Sequence, residues 1–162
     1  MLIYLRHGDD RGNDIYRHDR PLNARGKKKA GKAFSDLAKK YGHPDTVFVS
    51  PFRRALQTVE AMAVQFKRPV DMHRDPRVAQ YVGEKREPHI SPETTAQIAT
   101  DEGRDGFRAR IRSHVEDVRR RSEVGAAIWC VTHQIVIEEV AEYFDVKIRS
   151  NLDFLDHVVM LG

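Results

Sequence analysis

The chain has 162 residues, 40% of them hydrophobic, which is enough to bury roughly 70% of the unfolded surface and to form one domain over residues 1–162. Its charges nearly balance, at a net +4 and a pI near 9.3, so an anionic small substrate is a better expectation than nucleic acid. No apolar run approaches the length of a membrane span, and no charged segment leads into a long apolar one. These features exclude a membrane helix and a signal peptide, and a cytoplasmic protein is expected.

The first predicted element is the run Leu2-Ile3-Tyr4-Leu5, whose β-branched and aromatic content reads as a buried strand. Arg6-His7-Gly8 follows it directly. Asn23 is the predicted N-cap of a helix that buries Ala30, Phe34, Leu37, Ala38 and Tyr41, with Gly42 and Pro44 as its stop. Residues 46–49 are the next strand. Ser50 and Pro51 then read as an N-cap and a first-turn proline, opening a helix with Ala55, Val59, Met62 and Phe66 on its inner face and Pro69 beyond its end. A short strand is predicted over 70–72 and a short helix from Ser91-Pro92-Glu93. A longer helix buries Phe107, Ile111, Val115 and Val118 and ends in Arg119-Arg120-Arg121, where cations oppose the helix dipole favourably. The strand at 126–131 holds the lone cysteine, Cys130, so no intrachain disulfide forms and the thiol acts as a small buried hydrophobe. The last helix turns Val136, Val140, Tyr143 and Phe144 inward, before a final strand at 157–161.

Strands alternating with helices at this spacing imply βαβ crossovers, hence an α/β fold of three α/β/α layers around a mostly parallel sheet. If the strands ending at Leu5, Val49 and Val131 are parallel neighbours, the polar residues just beyond them meet at one sheet edge. Those residues are Arg6 and His7, Ser50 with Arg54 a turn into its helix, and Thr132 with His133. Two arginines, two histidines and a helix N-terminus suit a phosphoryl group.

Arg6-His7-Gly8, Leu22-Asn23-Ala24-Arg25-Gly26 before a helix, the stretch from Ser50-Pro51 through Arg53-Arg54 to Gln57-Thr58, and Thr132-His133 after a strand stand in the order of known motifs. In these the chain resembles the histidine phosphatase, or phosphoglycerate mutase-like, superfamily. Arg6-His7-Gly8-Asp9, Arg20-Pro21-Leu22 and the short length are most similar to the small phosphohistidine phosphatases of bacteria. The resemblance implies a phosphatase, a hydrolase with His7 as nucleophile and a phosphohistidine intermediate. Arg6, Arg54 and a protonated His133 would neutralise the phosphoryl oxygens. The implied partner is a phosphorylated small molecule or a phosphoprotein, with no membrane, no nucleic acid and no cofactor.

Two departures from the family pattern bear on the substrate. Gln80 stands where many relatives carry an acid, and an amide cannot protonate a departing alkoxide. Cleavage of a P–N bond or an activated ester is therefore favoured, because phosphohistidine protonated on its own ring departs as neutral imidazole. Glu84 or Glu87 is the candidate replacement acid, which would make the chain a general phosphomonoesterase. Gln134 follows the second histidine where glycine is common; its side chain either blocks the phosphate or adds an amide donor. Gly8, Arg20, Gln134, Asn13 and His18 are the candidate substrate contacts, with Arg20 alternatively a structural ion-pair partner. His43, His73, His89, His114 and His157 lack metal-ligand spacing. The runs Lys27-Lys28-Lys29 and Arg119-Arg120-Arg121 wrap their helices as solvated faces. The competing class is a non-catalytic module of the same fold that binds a phosphorylated ligand or RNA.

Overall fold

In the computed structural model, which describes residues 1–12, 19–81, 92–97 and 102–160, strands and helices alternate as expected. They run β1 (Leu2–Arg6), α1 (Ala24–Tyr41), β2 (Thr46–Val49), α2 (Arg53–Ala63), β3 (Asp71–Arg74) and a 3-10 turn (Pro76–Val78), followed by α3 (Pro92–Thr95), α4 (Arg104–Glu123), β4 (Ile128–Thr132), α5 (Gln134–Tyr143) and β5 (His157–Met160). The strands form one sheet in the order β3-β2-β4-β1-β5. All neighbours are parallel except β5, which runs antiparallel to β1. No helix among the described residues is long and apolar enough to cross a membrane.

Successive side chains of a strand point to opposite faces, and this alternation divides the core. Leu2 and Tyr4 of β1, Phe48 of β2, and Ile128 and Cys130 of β4 pack against Phe107, Ile111, Val115 and Val118 of α4 and against Val136, Ile137 and Val140 of α5. Ile3, Leu5, Val47, Val49, Trp129 and Val131 face the other way, onto Ala30, Phe34 and Leu37 of α1 and Ala55, Val59 and Met62 of α2. The result is three layers, α/β/α. The central strands are apolar on both faces because each face is covered.

Register then sets the position of the site. Leu5 pairs with Val131, and Val131 with Val49, so β1, β4 and β2 end level with one another. The chain leaves all three strands at the same edge, as the sequence expects.

Several boundaries differ from the expectation. α2 begins at Arg53 with Phe52 as its N-cap and no capping side chain; Ser50 stands two residues before that cap, its hydroxyl accepting from the Phe52 N–H at 3.4 Å and meeting His133 at 2.8 Å. Phe66 lies beyond the end of α2, though it still packs against the core. Tyr143 turns outward, 39% exposed, while Ile137 and Ala141 take the inner face of α5. β3 runs from Asp71 to Arg74, later than expected; an edge strand with mostly exposed side chains leaves little apolar pattern to read. Ser91 and Leu161 lie outside the described residues.

The first turn of α1 is pressed against the loop that follows β1. Asn23 caps it as expected, its Oδ1 accepting from the Gly26 N–H at 2.7 Å, and the Asn23 N–H donates to the Asp9 carbonyl at 3.0 Å. A Cβ at Gly26 would collide with that Asp9 carbonyl oxygen, so glycine is required by the close approach. The motif around Asn23 therefore clamps the loop carrying His7.

Candidate active site

His7 leaves β1 with its backbone N–H donating to the Thr132 carbonyl at 2.9 Å, which ties the first loop to the end of β4. The Gly8 N–H donates to Thr58 Oγ1 at 2.9 Å, and that hydroxyl donates to the Arg54 carbonyl at 2.7 Å. One threonine thus fixes the distance between the histidine loop and α2.

The tautomers of both histidines follow from their partners. His7 Nδ1 lies 2.8 Å from the Gly8 carbonyl oxygen, which can only accept, so Nδ1 carries the proton and Nε2 keeps its lone pair. That lone pair accepts from Arg54 Nε at 3.0 Å. Arg54 Nη2 also donates to His133 Nδ1 at 3.1 Å, so His133 is protonated at Nε2 and donates to Ser50 Oγ. The two imidazoles stand 5.2 Å apart between ring centroids. A single guanidinium joins them.

Burial and neighbouring cations disfavour charge on both rings. Burial, then the Arg54 charge, pushes His7 well below the ordinary imidazole range, and Arg6 and Arg20 add to this. Burial and Arg54 do the same to His133. Desolvation and neighbouring cations oppose a charge on His133, so the protonated state expected of it beside a phosphoryl group depends on that group's anionic oxygens. Burial lowers Arg54 to about 10, still charged at neutral pH, with Asp10 and Asp19 opposing the shift.

Arg6 approaches from the other side of the pocket. Its Nη1 donates to the Leu152 carbonyl and, at 3.2 Å, to Gln134 Oε1. Its guanidinium lies over the Phe154 ring, 4.5 Å from the centroid. The Gln134 amide donates in turn to Glu138 Oε1 at 2.7 Å and to the Ser150 carbonyl at 3.0 Å. Gln134 neither blocks the pocket nor offers it a free donor, because both ends of its amide are used in holding Arg6.

A cavity of about 270 Å³ opens over these groups, lined by Arg6, His7, Gln80, Tyr81, His133, Gln134, Ile135 and Glu138. His133 is the N-cap of α5, so the positive end of that helix faces the same space. Gln80 accepts from Arg54 Nη2 through its Oε1; an amide therefore occupies this wall. A larger cavity of about 470 Å³ lies beside Met1, Leu2, Phe144 and Met160 at the opposite edge of the sheet, away from the histidines.

The structure thus brings together Arg6, His7, Arg54, His133 and Gln134. Arg20 does not line the cavity; its Nη2 stands 3.7 Å from Asp10 Oδ2, in the ion-pair role named as its alternative. Gly8 sits beneath the loop against Leu22 and the Gly26 carbonyl. Asn13, His18, Glu84 and Glu87 lie outside the described residues. The sequence reading missed Asp10, buried 3.7 Å from Arg54 Nε, and Glu138 on the cavity wall. Aspartate doubled after Gly8 and a glutamate one helical turn after Gln134 were the available signals.

Residues 2–152 match the family model of the histidine phosphatase superfamily, branch 1. Among curated proteins none matches. Similar solved structures include the protein histidine phosphatase SixA complexed with tungstate, at 19% identity and a TM-score of 0.61, over 87% of this chain and 74% of that one. A second is that of an Agrobacterium tumefaciens protein described as a SixA-type phosphohistidine phosphatase, at 15% identity and 0.66, over 96% and 86%. A third is the ecdysone phosphate phosphatase of Bombix mori, with tungstate, at 15% and 0.68, over 96% and 86%. At such identities the likeness carries the fold, whereas the family model spans nearly the whole sequence. The chain therefore belongs to the histidine phosphatase superfamily and is a phosphatase, a hydrolase of phosphorylated substrates.

Proposed function

We propose that the chain cleaves phosphorylated nitrogen, as in a phosphohistidine protein, through a phosphoryl group carried on His7. The observation that carries this reading is His7 on the wall of a cavity that Arg6 and His133 also line, its Nδ1 proton held by the Gly8 carbonyl so that Nε2 keeps a lone pair, onto which Arg54 donates. Nε2 attacks phosphorus, the bond from phosphorus to the leaving nitrogen breaks, and its electron pair departs with that nitrogen. Because Nδ1 stays protonated against the Gly8 carbonyl, the phosphorylated ring carries positive charge. Water then attacks phosphorus, and His7 leaves as neutral imidazole with the same proton still on Nδ1.

Arg54 has two tasks in this scheme. In the empty site its Nε donates to the lone pair that must attack. An arriving phosphoryl anion competes for those donors and frees the nucleophile, so binding and activation occur together. His133, neutral when the site is empty, gains a reason to protonate once two or more anionic oxygens stand beside it.

Gln80 supports the choice of substrate. An amide occupied by Arg54 has no proton to give an alkoxide, whereas a protonated imidazole needs none. The test is turnover of a phosphohistidine peptide and of p-nitrophenyl phosphate by wild type and by His7→Ala, with the phosphoenzyme trapped by an alkaline quench. A label stable to base, labile to acid and absent from His7→Ala is expected. Faster hydrolysis of an unactivated alkyl phosphate such as phosphoglycerate than of the phosphohistidine peptide would overturn the substrate assignment.

A further inference from the structure

We propose that Glu138 forms a leaving-group subsite that selects substrates whose departing group is cationic, an imidazolium or an ammonium, over those whose departing group is anionic. This rests on the phosphatase reading of the same cavity and gives its open side a role. His7, Arg54 and His133 are all buried, so a leaving group exits past the less buried residues of the cavity wall, Gln80, Tyr81, Gln134, Ile135 and Glu138. Of the described residues lining the cavity, Glu138 is the one carboxylate.

Three observations give that carboxylate a purpose beyond folding. It is half-buried at the cavity wall, where a charge is screened less than on an open surface. Its neighbour Glu139 pairs with Arg108 at 2.9 Å, but among the described residues no lysine, arginine or histidine nitrogen stands within salt-bridge distance of Glu138. Among the described residues its one hydrogen bond is from the neutral Gln134 amide, at 2.7 Å, and the Arg6 charge reaches it only across that amide, without direct contact. In a site built to hold a phosphoryl dianion, a negative wall is costly unless the remainder of the substrate is positive.

Phosphohistidine meets that condition. Its ring, when protonated on the nitrogen distant from phosphorus, is both the reactive form and a cation whose N–H suits a carboxylate acceptor. Glu138 favours this form and holds its proton in place while the bond to phosphorus breaks; the ring departs as neutral imidazole, so no proton is exchanged with Glu138. A phosphoglycerate, which leaves with a carboxylate, meets repulsion at the same wall.

The test compares Glu138→Gln with wild type on a phosphohistidine peptide and on p-nitrophenyl phosphate, between pH 5.5 and 8. Glutamine keeps the acceptor for Gln134 and removes only the charge. The ratio of kcat/KM for the peptide to that for the nitrophenyl ester is expected to fall about tenfold, with the largest fall at the acid end, where the substrate ring is protonated. Glu138→Lys tests the sign: it lowers the ratio further and raises activity on phosphoglycerate. An unchanged ratio, or a parallel loss on both substrates, would overturn the proposal, the latter because Glu138 would then act only through Gln134 and Arg6. Absence of His7-dependent turnover in wild type is a different failure, that of the phosphatase site, and removes the proposal with it.

Discussion

The molecule holds two buried polar clusters beside the same sheet, and they differ in how their charge is answered. Beneath α4, His114 Nδ1 donates to Asp75 Oδ2 at 2.8 Å, its Nε2 faces the Cys130 thiol at 3.5 Å, and Asp75 also accepts from Arg77 at 2.8 Å. Burial keeps the thiol protonated and holds His114 below its ordinary range, while the bonds from His114 and Arg77 hold Asp75 ionised. Every charge there has its counter-charge, and Tyr4 and Phe48 close the space with edge-on ring contacts to His114. The cluster beside His7 sets Arg6, Arg54 and Arg20 among Asp10, Asp19, Asp153 and Glu138 with few direct ion pairs, and it opens onto a cavity. A closed network of direct ion pairs serves folding, whereas one that holds arginines and histidines at the wall of a cavity suits an anion.

His7→Ala is expected to break the comparison most sharply, cutting turnover by at least about 10⁴-fold while leaving the melting temperature close to wild type. A comparable loss from His114→Ala in molecules shown to be folded would erase the distinction between the clusters. Next, Arg54→Lys should cost about a thousandfold in kcat/KM, because an ammonium cannot reach both imidazoles and a phosphoryl oxygen from one point; steady-state kinetics on p-nitrophenyl phosphate checks it. Retention of more than a tenth of the activity would mean that a point charge suffices.

Asp75→Asn addresses the other cluster. Leaving His114 without its carboxylate and Arg77 with Asp117 alone should cost about 3 kcal/mol in urea unfolding, with kcat per folded molecule unchanged. Tungstate, a phosphate mimic, should stabilise wild type by about 2.7 kcal/mol at a hundredfold excess over its Kd. The same gain in Asp75→Asn and none in Arg54→Ala would sharpen the contrast, whereas stabilisation surviving Arg54→Ala would put the anion elsewhere.

The smallest effect is on pH. His7, His114, His133 and His157 are all depressed in the folded chain, so below pH about 6.5 the unfolded chain takes up protons that the folded one refuses. Stability is therefore full above that pH and falls as pH drops beneath it. Calorimetry from pH 7.5 to 5 should show the decline, and tungstate should reduce it by favouring protonated His133. A melting temperature that rises on acidification would contradict the neutral state assigned to these rings.

Much of this was legible in the residue order. The apolar runs at Leu2, Thr46 and Ile128, the Asn23 cap and the stripes of α1, α2 and α4 are local patterns, because burial on a strand or helix repeats with a fixed period. Ser50 was misread as the N-cap: the helix starts at Arg53 with Phe52 in that place, and the bond of Ser50 with His133 joins residues 83 positions apart, which a linear pattern does not show. Tyr143 was misplaced for a related reason: amphipathic residues fit an inner or an outer face. The loss of charge at His133 depends on how many atoms exclude water around it.

By itself the sequence determined that His7, Arg54 and His133 would each follow a strand of an α/β sheet, and that Gln80 would bring an amide where relatives bring an acid. Tertiary structure alone decided that one guanidinium bridges both rings, that Gln134 is spent on Arg6, and that Glu138 faces the cavity. Periodicity is a property of neighbouring residues, but hydrogen-bond partnership and desolvation arise from residues some 130 positions apart, as between Arg6 and Gln134, and exist only once the strands are in register.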